Sequence, residues 1–521
     1  MNQGKRKRKI NYAPLVLALL PALAFSCSSS IPAGPYLYNE LNSSPFLEKE
    51  EDGYKVVGEF AKFENNGKTI DTDFNSIFQS GNINFNMPTT GDVPLLVVPV
   101  DFSDKVGTAH DIGLINSAFC GNRGSNQFLS VAEYYALSSM DRLHLRPYVI
   151  PSFFRSLTYS TISSVSSISS SSATTNALTK IYEECVAWLK ESYSSLNLSS
   201  YSFKTKKGAE KLPIYFIYNA PYVGENGEET VNRNSMLWAF TVNRPAPISW
   251  SSLDMLHANN GMVDAHTYIH ETGHLLGLED YYDPSSTDAI ARTSHLGRMD
   301  IMDSSLGDHN AFSKMLLGWE RPFVPTSDCE ITIHQASGNN ESILVSPSWN
   351  GTPYDSYLLI EFYSPTNLNY VDAYLRSDPT MRLFQKPGVK IYKVDASLEI
   401  YNGYYSTGKA LEGNPYNGER LYFGRKNSSF TKPLIQLLNK KSGSAEPTPY
   451  FIASDSEEDV VYSIGGTNQT VHLSEALFYE GDGIDANRFS SLRIKDLPLG
   501  CSITVSKLTS GSATLKFEFA K

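Results

Sequence analysis

Short apolar or β-branched runs recur early in the chain, at residues 95–100, 143–150, 214–218 and 237–242, and each reads as a strand. Between the second and third runs, Leu178, Ile181, Cys185, Trp188 and Leu189 fall on one face at helical spacing. The pattern predicts a mixed, twisted sheet backed by a long helix. Residues 160–172 are serine-rich with no apolar period and read as a loop or insert. A second helix is predicted around Val263, Ala265, Ile269, Leu275 and Leu276, mostly apolar and therefore buried. From about Cys329 the pattern changes. Short alternating runs at 356–362, 389–394 and 502–505 recur between Gly, Pro, Asn and Ser turns, which predicts a β-rich, sandwich-like C-terminal region. The expected class is α+β.

The first residues follow another logic. Five consecutive basic side chains, Lys5 to Lys9, precede an apolar run at 13–25 that is broken only by prolines. Such a run is too short to span a bilayer but suits the hydrophobic region of a secretory signal. Small residues then lead to Cys27, followed by Ser28, Ser29 and Ser30, the pattern of a bacterial lipoprotein signal in which Cys27 is lipidated; a plain signal peptide is the alternative. The expected organisation is a signal peptide at 1–26, a tether or prosegment at 27–90, a catalytic domain at 91–323 and the β-rich region at 324–521. Membrane contact is expected only through Cys27, at the cell surface, with secretion as the alternative.

Charge narrows the partners. The chain has 44 Lys+Arg against 55 Asp+Glu, and five of the basic residues lie in the leader. So acidic a mature surface repels phosphate backbones, and nucleic acid is not an expected partner. Beyond Cys27 the cysteines are Cys120, Cys185, Cys329 and Cys501. They suffice for two disulfides, one of them clasping Cys329 to Cys501, with free buried thiols as the alternative.

Six of the ten histidines lie between His257 and His309. Among them runs His270-Glu271-Thr272-Gly273-His274-Leu275-Leu276-Gly277-Leu278-Glu279-Asp280. Residues four apart stack on a helix, so His270 and His274 present two imidazoles at the spacing a tetrahedral zinc requires. Glu271, on the same turn, can reach a metal-associated water without being a ligand. In a chain with ten histidines, a chance His-Glu-x-x-His has odds of roughly one in a hundred, so the flanks must decide. Gly277 stands where the helix must end and adopts a left-handed conformation without a Cβ penalty. The turn returns the chain toward the metal and offers Asp280 as third ligand. Downstream, Met302, with Met299 as the alternative, is the candidate apolar floor beneath the metal.

These residues resemble the immune inhibitor A family of secreted bacterial metallopeptidases, whose motif His-Glu-x-x-His-x-x-Gly-x-x-Asp precedes a Tyr-Asp pair, here Tyr282-Asp283. Similar to the family are also Leu96-Val97-Val98-Pro99-Val100-Asp101-Phe102, Ser130-Val131-Ala132-Glu133-Tyr134-Tyr135, Asp300-Ile301-Met302, and the run from Ala311 to Trp319. The strands around Tyr357-Leu358-Leu359-Ile360-Glu361 and Gly388-Val389-Lys390-Ile391-Tyr392 extend the resemblance, which covers roughly residues 94–396. One departure stands out: Ser139-Met140-Asp141-Arg142-Leu143 replaces the family's Ser-Tyr-Gly-Lys-Leu. The resemblance implies a metzincin-like fold, zinc dependence and hydrolysis of protein or peptide bonds, with His270, His274 and Asp280 as ligands and Glu271 as general base. It also brings in calcium, which members use for stability.

The remaining candidates are weaker. Tyr281 or Tyr282 is a candidate oxyanion donor, with packing as the alternative. His266 lies one turn before His270 and is a candidate to orient a ligand, with a core position as the alternative. His295 and His309 flank the methionine turn, His309 reading as a helix-start or packing residue, and His257 has no assigned role. Asp283, Asp288, Asp300, Asp303 and Asp308 form an acidic neighbourhood that could take calcium, although their spacing is not that of an EF-hand and they read as solvated loop acids. Residues 237–242, as the last strand before the motif helix, are the expected edge along which a peptide substrate pairs. The competing function is a non-catalytic surface binding protein that retains the protease fold; an intact Glu271 argues against it.

Overall fold

The computed structural model describes residues 47–50, 53–56, 62–65, 68–71, 87–121, 126, 128–156, 158, 172–204, 210–220, 236–243, 245–256, 263–282, 294–303, 305–376, 382–402, 419–427, 433–440, 459–464, 467–485, 489 and 492–520. The leader, Cys27, His257, Asp283, Asp288 and residues 160–171 lie outside the described residues. The described chain mixes sheets with a few helices, and among the described residues no helix is long and apolar enough to cross a membrane.

The first sheet has six strands. Its path runs Phe240–Val242, Ile248–Ser252, Ile214–Tyr218, Gly91–Asp101, Leu143–Val149, with Phe154–Arg155 also pairing to Gly91–Asp101. All pairs are parallel except the one that Phe240–Val242 makes at the edge. Alternation along the strands divides the core in two. Leu96, Val98, Val100, Phe216 and Trp250 pack on one side against Leu178, Ile181, Cys185 and Leu189 of the helix Ser172–Ser192. Val93, Leu95, Val97, Tyr215 and Ile217 point the other way, toward the helices Ala109–Cys120, Val131–Ser138 and His266–Leu275. Two sequence expectations need correction. The strand expected at 237–242 is confined to Phe240–Val242, and the last strand before the motif helix is Ile248–Ser252.

A seven-stranded sheet follows the path Leu47–Glu50, Gly53–Val56, Phe323–Pro325, Ser342–Val345, Ser356–Tyr363, Gly388–Asp395, Ile435–Leu437. Leu47–Glu50 and Gly53–Val56 thus form its far edge, with Tyr54 opposite Val324. The strand Ser356–Tyr363 is buried along its whole length because both faces are covered. Leu358, Ile360 and Phe362 meet Ile503, Val505, Leu515 and Phe517 of a four-stranded sheet, while Tyr357, Leu359 and Tyr363 join the core that contains the motif helix. The two C-terminal sheets therefore enclose one core between them, as in a sandwich.

The cysteine clasp is not formed. None of Cys120, Cys185, Cys329 and Cys501 is joined in a disulfide. Cys329 and Cys501 sit on strands that flank Ser512–Phe519 on opposite sides, so a whole strand separates them and bridging geometry is out of reach. At the family departure, Met140 and Asp141 take φ of 52° and 59°, the left-handed region that glycine enters without cost.

Candidate metal centre

The motif helix, His266–Leu275, starts where Asp264 Oδ1 accepts from the His266 amide at 3.0 Å. It stops at Leu276. Gly277 has φ +106°, and the Leu278 amide folds back to the Gly273 carbonyl at 3.0 Å. That turn carries Asp280 over the helix. Asp280 Oδ1 stands 3.1 Å from His270 Nε2 and 3.3 Å from His274 Nε2. Among the described residues, these three form the one group of histidine, cysteine and acidic side chains whose ligand atoms converge.

The second ring nitrogens determine what this convergence means. His270 Nδ1 lies 2.9 Å from the Ile301 carbonyl and His274 Nδ1 lies 2.8 Å from the Leu278 carbonyl. A carbonyl only accepts, so each Nδ1 carries the proton and each neutral ring turns its Nε2 lone pair toward Asp280. Asp280 Oδ1 is itself buried and lacks a partner with hydrogen-bond geometry. Three acceptors pointing at one another repel unless positive charge lies between them. Protons express that demand in part. Burial disfavours the charged rings, yet the Asp280 carboxylate outweighs it and raises His274 to about 9 and His270 above its usual range. Burial also works against the Asp280 carboxylate, but the two imidazoles pull its pKa below the ordinary range. A cation meets the same demand. Ligand bonds of about 2.0–2.1 Å in a tetrahedron set ligand atoms about 3.3 Å apart, which is within a few tenths of an ångström of the separations here.

Glu271 occupies the adjacent position and is 5 % exposed. Its Oε2 accepts from the Thr241 hydroxyl at 2.7 Å. Burial raises its pKa, and the two imidazoles and Thr241 oppose that rise without cancelling it.

Met302 lies fully buried beneath the helix. A Cβ on Gly273 would come within 2.5 Å of Met302 Sδ, so the glycine permits the close approach. The Met302 carbonyl accepts from the Tyr281 amide at 2.9 Å, tying the methionine turn to the segment that bears Asp280. Met299 is also buried but is not the residue under Gly273.

The other candidates separate. The Tyr282 ring stacks near His270, with centroids 6.3 Å apart, whereas Tyr281 is buried with its hydroxyl 2.7 Å from Ser313 Oγ. His266 is neither a core residue nor an orienting one: its side chain is 43 % exposed and its Nδ1 pairs with Asp264, while backbone carbonyls orient both ligand rings. His309 is packed among Tyr134, Tyr135 and Trp319, and His295 is buried. Asp300, Asp303 and Asp308 are not solvated loop acids, since each is buried. Asp300 accepts from the Met302 and Asn310 amides, Asp303 from Ser294 and the Arg298 amide, and Asp308 binds Lys314. Sequence reasoning missed the Ile301 and Leu278 carbonyls and Thr241. Backbone acceptors carry no sequence signal, and Thr241 reaches the site only through sheet pairing. In comparison with known proteins, no family model matches the chain and no curated protein matches it.

Proposed function

We propose that the chain is an exported zinc-dependent endopeptidase whose catalytic half has the metzincin-like fold implied by its His-Glu-x-x-His-x-x-Gly-x-x-Asp pattern. The observation that carries this reading is the convergence of His270 Nε2, His274 Nε2 and Asp280 Oδ1 beside a buried glutamate on the same helix. Zinc held by these three residues would acidify a water molecule and polarise the scissile carbonyl. The Ile301 and Leu278 carbonyls keep both imidazoles in the ligating tautomer. Glu271 takes a proton from the attacking water, breaking a water O–H bond as a carboxyl O–H bond forms. It then gives that proton to the leaving amine nitrogen and is again a carboxylate. Burial, by raising the Glu271 pKa, suits a group that must hold a proton between those two steps. Met302 keeps the floor apolar.

Among the described residues Phe240–Val242 ends the sheet, and Thr241 on it touches Glu271. An extended peptide laid along this edge would pair its backbone with the strand and bring one carbonyl to the centre. Lipid anchoring through Cys27 at the cell surface completes the proposal.

The test uses purified mature protein on casein and on a peptide library, with and without chelator, beside Glu271→Gln. Wild type should cleave, lose activity to chelator and regain it with zinc, while the variant binds zinc and cleaves at least a hundredfold more slowly. Equal cleavage by both proteins would refute the assignment of Glu271. Zinc binding without cleavage by either would favour a binding protein.

A further inference from the structure

Beside the proposed base lies a pair of hydroxyls with no assigned role. Thr241 Oγ1, on the edge strand Phe240–Val242, is 2.7 Å from Glu271 Oε2 and 3.2 Å from the Glu271 carbonyl. Ser249 Oγ, on the neighbouring strand, is 2.8 Å from Thr241 Oγ1 and 3.5 Å from the same carbonyl. The two residues are register partners in the antiparallel pair, so the sheet itself fixes their separation.

Counting protons gives the chain a direction. Each hydroxyl has one hydrogen, and an ionised carboxylate only accepts. The shorter contact takes the Thr241 proton to Oε2. Thr241 Oγ1 then has lone pairs to receive the Ser249 proton, and the two bonds polarise each other between a part-buried threonine and a buried serine and glutamate. Glu271 Oε1 has no hydrogen-bond partner among the described residues. One carboxyl oxygen is thus anchored to the strand and the other is left for chemistry.

We propose that Thr241, supported by Ser249, is the positioning residue of the general base: it holds Oε2 so that Oε1 alone exchanges the proton. This inference rests on the peptidase reading above. In the base step a water O–H bond breaks and an Oε1–H bond forms; in the acid step Oε1–H breaks and the leaving nitrogen gains the proton. The Thr241 proton stays on its own oxygen throughout, since Oε2 accepts it in both states. A strand threonine is ordinarily explained by its β-branched fit, and that explanation predicts that valine, of the same shape, changes nothing.

The experiment compares wild type, Thr241→Val and Thr241→Ser, with Thr241→Ala as the second hydroxyl-free variant should the valine form fold poorly. A charge-assisted hydrogen bond is worth roughly a factor of ten or more, so Thr241→Val should lower kcat about tenfold at nearly constant KM and zinc content. Thr241→Ser should recover most of the loss, and in the Glu271→Gln background the valine substitution should cost nothing further. A readout independent of turnover is the carboxylate stretch of Glu271, taken from the infrared difference between zinc-free wild type and Glu271→Gln. It should shift in Thr241→Val and return in Thr241→Ser. An unshifted band, or a kcat unaffected by valine, overturns the role of Thr241 while leaving an active wild type as a peptidase. A wild type that cleaves no peptide, with the band still shifting, refutes the peptidase reading and with it the catalytic purpose of the bond.

Discussion

Gly273→Ala places a methyl group in the tightest contact of the centre. The new Cβ would stand 2.5 Å from Met302 Sδ, 3.2 Å from its Cε and 3.3 Å from the Tyr135 hydroxyl. Two effects oppose each other. Alanine is favoured over glycine inside a helix by about 1 kcal/mol. Overpacking a filled core costs about 1–3 kcal/mol, and because the nearest atoms are the flexible end of a methionine the lower part of that range, about 1–2 kcal/mol, applies. The single variant should therefore lose only about 0–1 kcal/mol. In a Met302→Ala background only the 3.3 Å approach to the Tyr135 hydroxyl remains, and the same substitution should stabilise by up to about 1 kcal/mol. The informative quantity is the coupling, about 1–2 kcal/mol, read from a double-mutant cycle. Urea unfolding of the four proteins in chelator measures it without a metal contribution, given equal m values. Zinc affinity, measured by competition with a chromophoric chelator, supplies the functional side. Met302 is flanked by Ile301, whose carbonyl holds His270, so displacing it should weaken zinc binding about tenfold. Effects that add within about 0.5 kcal/mol would show that Met302 is not seated under Gly273.

Other perturbations probe the scaffold. Burial pushes the Glu320 carboxyl up to about 8 from its ordinary 4.5, with Lys314 opposing only part of the shift. A raised acid contributes stability that is complete below about pH 4.5 and is lost as pH rises through 8, at most about 5 kcal/mol for a shift of this size. Glu320→Gln does not titrate, so its urea midpoint should gain on wild type between pH 5 and pH 9; a constant gap would contradict the buried carboxyl. Lys314 is fully buried, 2.6 Å from Asp308 and 2.8 Å from Asn340 Oδ1. Lys314→Met strands the Asp308 charge and should cost about 3–5 kcal/mol in calorimetry, partly recovered by adding Asp308→Asn. Asp141 sits at φ 59°, and Asp141→Gly should stabilise by about 0.5–1 kcal/mol at unchanged zinc affinity. A loss of stability would argue that the Asp141 side chain has work of its own.

What the sequence made legible follows from what its patterns encode. The runs at 95–100 and 214–218 are visible because they are buried on both faces and therefore mostly apolar. Ile248–Ser252 was missed for the opposite reason. Ile248 and Trp250 face the backing helix, but Ser249 and Ser251 face the motif helix side, where Ser249 meets Thr241 and Ser251 meets the Tyr215 hydroxyl. A strand that is polar on one face because it borders a polar centre reads like a loop. The positions of His270, His274 and Asp280 were legible because helical period and one glycine turn determine them locally. The groups that orient them were not, because the Ile301 carbonyl and the Thr241 hydroxyl arrive through tertiary contacts.

Those tertiary contacts also define what the β-rich region does. The segment after the methionine turn is held largely from across residue 323. Both carboxylate oxygens of Asp372 accept from the Leu306 amide, at 2.9 and 3.1 Å, and Asn369 Oδ1 accepts from the Asp308 amide. Glu361 Oε2 accepts from the Ala311 amide at 2.7 Å, satisfying the start of the helix Ala311–Leu316, whose Ser313 receives the Tyr281 hydroxyl contact. Asn340 completes the shell of Lys314, which in turn neutralises Asp308. Asp308, Lys314, Asn340, Glu361 and Asp372 are buried and would be costly to leave unpaired. One apolar cluster runs without a break from Met87 through the motif helix to Leu477. The seven-stranded sheet and the segments that connect its strands thus back the candidate metal centre. They fix the turn that carries Met302 and the Ile301 carbonyl, and through them the orientation of His270.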